Sequence, residues 1–98
     1  MKDKDLKTLP DDEVKACWNL HHALAEAAYK RLREIAAEEA DYNRRRYLEL
    51  ARTPEGLQEY RNQIASFREA EVTPRQAHRD ASDVCTACHA ELQRRGLL

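Results

Sequence analysis

The sequence predicts an all-α protein, an antiparallel helical bundle of three long or four helices. Charged residues make up 36% of the 98-residue chain, and it has two glycines and three prolines, a balance that favours helix over sheet. Apolar residues recur at steps of three and four, the period of an amphipathic helix. Each proline sits where a helix begins, because the amide hydrogen it lacks has no partner in a first turn. At this length the chain is expected to be one domain, residues 1–98, with 1–9 a flexible N-terminal arm. Such a domain is small enough for a cofactor, a metal or a partner subunit to add materially to its stability.

Pro10 followed by Asp11, Asp12 and Glu13 opens the first long helix, where acidic side chains meet the positive end of the helix dipole. Val14, Cys17, His21, Leu24, Ala28 and Ile35 form its core stripe, flanked by Trp18, Ala25, Tyr29 and Leu32. No glycine or proline interrupts it before Thr53, so Asp41-Tyr42-Asn43 is the expected place for a kink or break. Thr53-Pro54-Glu55 and Thr73-Pro74-Arg75 each read as a threonine N-cap before a first-turn proline. They predict a helix carrying Leu57, Tyr60, Ile64 and Phe67, then a last helix carrying Ala77, Ala81, Val84, Cys88 and Leu92. Gly96 is placed to stop that helix.

Several function classes are disfavoured. A net charge of −1 argues against nucleic-acid binding despite the run Arg44-Arg45-Arg46. No apolar stretch is long enough to span a membrane. The opening Met1-Lys2-Asp3-Lys4-Asp5 is polar and no apolar h-region follows, so no secretory signal is expected in this chain. There is no Ser/His/Asp set, glycine-rich phosphate loop or Glu-x-x-His pair, which points to a non-enzyme.

Chemistry concentrates in Cys85-Thr86-Ala87-Cys88-His89. Thiols at i and i+3 can reach the two vinyl groups of one porphyrin edge, and the adjacent imidazole can ligate its iron. An all-helical chain of this size with that motif on its last helix resembles the class II c-type cytochromes, the cytochrome c′ group. The resemblance covers about a quarter of the chain. It implies haem c attached through Cys85 and Cys88, His89 as proximal iron ligand, and a residue of the first helix over the distal face. Function would then be electron transfer to a redox partner protein or binding of a diatomic gas such as NO or CO. The location would be periplasmic, in a mature form without its leader. Leu92 and Arg94 only approximate the aromatic and basic residues usual after the family's motif.

Cys17 and His21, one turn apart on the first helix, both qualify as distal ligand. The imidazole would give a low-spin bis-histidine centre and the thiolate a lower reduction potential, with a slight preference for Cys17. If neither reaches the iron, a gas would bind between Val14 and Leu24.

A different class of protein uses nearly the same residues. Cys17, His21, Cys85 and Cys88 form a complete three-cysteine, one-histidine set for tetrahedral zinc. Such a site would clip the first helix to the last in a cytoplasmic structural or regulatory module that binds a protein partner. Zinc gives no reason for His89, whereas haem c requires it. The plainer readings are core packing for Cys17, Trp18 and Tyr29, and solvated positions for His22, His78 and the arginine runs. Under either reading the wide stripe of the first helix favours a homo- or heterodimer.

Overall fold

The computed structural model describes residues 3–98, with side chains from Leu6 onward. It is all-α: α1 Asp3–Thr8, α2 Asp11–Leu50, α3 Pro54–Ala70 and α4 Val72–Arg94, with no strand among the described residues. Two units divide the chain. One joins residues 1–28 to 76–98, and the other is the continuous stretch 29–75.

In the first unit, Leu6, Val14, Cys88 and Leu92 form a closed core, with Leu9, Cys17, Trp18, Val84 and Ala87 packed against it. In the stretch expected to be a flexible N-terminal arm, residues 3–8 are helical and Leu6 is only 1% exposed. Met1 and Lys2 lie outside the described residues. Leu6 has apolar partners on two other helices, and its carbonyl accepts from Arg95 Nη2 at 2.9 Å. Arg95 also reaches Asp11 at 2.7 Å and the buried Glu91 at 3.3 Å, tying α1, the start of α2 and the end of α4 with one guanidinium. Gly96 takes a positive φ of 75°, and the amides of Gly96 and Leu97 bond back to Gln93 and Leu92. That pattern closes the helix as the sequence predicts.

Glu91 is held below the usual carboxylate range, chiefly by its hydrogen bond from Arg94 and then by Arg95, against the opposite pull of its burial. A carboxyl whose folded pKa is depressed stabilises the fold above its unfolded value of 4.5 and stops doing so as pH falls through the lower folded value. Acid titration of the wild type and Glu91→Gln is expected to show this. Wild-type stability, measured by urea midpoint, should fall below pH 4.5 more steeply than that of the variant; parallel curves would dismiss the Glu91 contribution.

In the second unit α2 and α3 run in opposite directions, since Glu39 pairs with Arg68 and Asn43 with Tyr60. Tyr42 packs on Tyr60 and Phe67, and Tyr47 packs on Tyr60. These contacts explain why the expected break at Asp41-Tyr42-Asn43 is absent. Tyr42 is anchored on α3, and Asp41 pairs with Arg44 and Arg45 at i+3 and i+4 along an unbroken helix of 40 residues. Thr53 caps α3 as expected, accepting from the Gly56 amide at 2.9 Å, a bond of the kind that contributes about 1 kcal/mol. Gly56 is also required for space, because a β-carbon there would collide with the Leu50 carbonyl. The last helix begins at Val72, so Thr73 lies within its first turn instead of capping it. Pro74 still falls in its first turn, where no amide bond is lost, and the Arg75 amide bonds to the Glu71 carbonyl.

Candidate functional site

The first unit brings the candidate ligands of α2 and α4 to facing surfaces. Cys17 and His21 are half-buried on α2, Cys85 is half-buried on α4, and Cys88 is fully buried. His21 Nδ1 lies 2.8 Å from the Cys17 carbonyl oxygen and 3.6 Å from Cys17 Sγ. A nitrogen facing a carbonyl carries the proton, so Nε2 of a neutral His21 keeps the lone pair that could bind a metal. Cys85 Sγ donates to the Trp18 carbonyl at 3.8 Å, and Cys88 shares a hydrogen bond with Cys17.

Burial pushes the Cys88 thiol up to about 12, helped by its bond to Cys17 and by the nearness of Cys17 and Cys85. Burial also raises the Cys85 thiol, with Cys17 adding to the effect. Each thiolate would face the others in a poorly solvated seam, so the chain alone disfavours negative charge there. A bound divalent cation reverses that preference, because thiolates are its ligands.

Among the described residues, no three His, Cys, Asp or Glu side chains converge closely enough to hold a metal ion as they stand. Cys17 is engaged with His21 and Cys88, while Cys85 is directed to Trp18. The donor types suit zinc. A four-ligand site would require Cys85 to leave the Trp18 carbonyl.

His89 is exposed on α4, whereas Cys88 is enclosed by Leu6, Val14 and Leu92. A haem bonded to Cys88 would have to open that core. A groove of about 380 Å³ is lined by His21, Leu24, Ala77, Asp80, Ala81 and Val84. It contains His21 from the haem candidates, but neither Cys85, Cys88 nor His89. Val14 lies in the closed core, whereas Leu24, 49% exposed, lines the groove.

His22 stacks on Trp18 with ring centroids 5.3 Å apart and pairs with Glu26, away from the thiols. Two participants escape a sequence reading. The Trp18 carbonyl is a backbone group and carries no sequence signal, and Leu6 lies outside the helical stripes that periodicity detects. No helix among the described residues is long and apolar enough to cross a membrane. No family model matches the chain, and no curated protein or solved structure matches it either.

Proposed function

We propose that this chain is a metal-clipped helical module, an antiparallel bundle in which Cys17, His21, Cys85 and Cys88 hold one zinc ion between α2 and α4. The supporting observation is the gathering of three thiols and an imidazole, two from each helix, on one seam of one unit. Zinc prefers such nitrogen and sulfur donors, and bound in a closed site it is a structural element. Its role is then regulatory or structural, in the cytoplasm, with a protein partner rather than a substrate.

The second reading is a c-type cytochrome of the periplasm, with haem c on Cys85, Cys88 and His89 and with Cys17 or His21 on the distal side. The groove beside His21 supports it, since an apolar recess next to a half-buried imidazole is where a flat ring would begin to insert. Bound haem would supply one-electron transfer to a redox partner or binding of a diatomic gas. The enclosed position of Cys88 counts against it.

Metal analysis joined to a visible spectrum of the purified chain tests both. The expected result is colourless protein with one zinc per chain, whose cobalt-substituted form shows thiolate-to-metal charge transfer that weakens in Cys17→Ser. A Soret band with a sharp α band on reduction overturns the zinc reading in favour of haem, and carbon monoxide then reports whether the distal position is open. A colourless chain that binds neither overturns both.

A further inference from the structure

One face of α2 is apolar and exposed, and it is not the face turned to α4. Ala16, Leu20, Ala23 and Ala27 follow one another at steps of four, three and four, the repeat of a helix–helix seam. All four are exposed, Leu20 by 57%, with Leu24, at 49%, on the edge. The buried side of the same stretch is carried by Val14 and Ala28, with Cys17 and His21 between them.

Charge decides what fits this face. Asp12 and Glu13 stand at one end of the seam and Lys30 and Arg31 at the other, all exposed. The two sets are about five helical turns apart, so Asp12 and Lys30 share one flank of the seam while Glu13 and Arg31 share the other. In an antiparallel pair, residues on the same flank meet across a two-fold axis. A second α2 laid antiparallel, with the axis passing between His21 and His22, sets Asp12 against Lys30 and Glu13 against Arg31. It also sets Leu20 against Ala23 and Ala16 against Ala27. A parallel pairing would set like charges together at both ends. Arg31 also reaches Glu34 and Glu38 of its own helix, so the Asp12–Lys30 pairing carries more of the argument.

We infer that the exposed face of α2 centred on Leu20 and Ala23 binds a second copy of this chain as an antiparallel, two-fold symmetric homodimer. The alanines let the two helices approach closely, and the terminal charges fix direction and register. This dimer does not depend on what Cys17, His21, Cys85 and Cys88 hold.

Light scattering and sedimentation equilibrium on the full chain test it. The wild type is expected to be a dimer whose association weakens with salt, and Leu20→Glu should raise the dissociation constant by roughly thirtyfold or more. The variants D12K/E13K and K30E/R31E should each be monomeric while keeping wild-type helicity by circular dichroism. Mixed in equal amounts, they should form a heterodimer, because one then carries only positive ends and the other only negative ends. A wild type that stays monomeric at its highest soluble concentration overturns the proposal and leaves the face to a different protein. Leu20→Glu remaining dimeric overturns the choice of face, and a failed mixture of two folded variants overturns the antiparallel register. Should D12K/E13K lose its helicity, K30E/R31E and Leu20→Glu decide: monomers support the dimer, and a dimer from either rejects it.

Discussion

Leu92→Ala is expected to lower the thermal midpoint by roughly 12–24 °C, from a loss of about 3 kcal/mol at about 4–8 °C per kcal/mol for a domain of this size. Leu92 is 3% exposed and shares its core with Leu6, Val14 and Cys88. The space vacated by its side chain is bordered by three helices, which are held by the Arg95 contacts and cannot easily collapse into it. A loss of that size is large against the total of about 5–15 kcal/mol typical of such domains. Leu48, at 78% exposure, supplies the control, and its replacement by alanine should move stability by no more than about 0.5 kcal/mol. Differential scanning calorimetry of both variants checks the prediction, and similar shifts for the two would show that the core is misassigned.

The second large effect concerns Cys88→Ser compared with Cys85→Ser. In metal-free protein Cys88→Ser places a hydroxyl where nothing is exposed, at a cost of about 1–3 kcal/mol, whereas a serine at position 85 can keep the hydrogen bond to the Trp18 carbonyl. Cys88→Ser should therefore be clearly the worse of the two in urea titrations run with chelator. In zinc-loaded protein each variant also removes one ligand, so both should lose more stability than they do with chelator. If the two do not differ without metal, the burial argument fails; if Cys85→Ser loses no more with zinc than with chelator, Cys85 is not a ligand.

Alkaline pH separates the same two states. An acid whose folded pKa is raised favours the fold below its unfolded value, and the benefit disappears as pH rises through the folded value. Metal-free protein should therefore lose stability from pH 9.0 towards about 12 as Cys88 resists ionisation. Zinc-bound thiols are already deprotonated, so the metal-loaded chain should show no such decline.

Helix boundaries were legible at Thr53-Pro54 and at Gly96, but not at Thr73, which lies inside α4 instead of capping it. Thr53, Pro54 and Gly96 behave in the structure as their chemistry requires. The long-range partners were not legible. Asp41-Tyr42-Asn43 has the composition of a break, but Tyr42 is held by Tyr60 and Phe67, residues of another helix that no local window contains. Leu6 fell within the expected flexible arm because its apolar neighbours, Val14, Cys88 and Leu92, are spread along almost the whole sequence. At the candidate site, periodicity placed Cys17, His21 and Cys88 on inward stripes, and the structure has them half-buried or buried. Side-chain direction was beyond its reach: Leu24 belongs to the same stripe by spacing, yet it is half-exposed beside the groove.

The first unit is made of the opening 28 residues and a stretch that begins at residue 76, while the second is a single run of chain. During synthesis, α2 and α3 can meet as soon as both have left the ribosome, but Cys17 and Val14 must wait for α4 to arrive. Local closure precedes distant closure because a longer loop costs more entropy to close. Until then the sulfur of Cys17 and the imidazole of His21 stand open to solvent, and any ion or ring that they retain can enter before the guanidinium of Arg95 draws the ends of the polypeptide together.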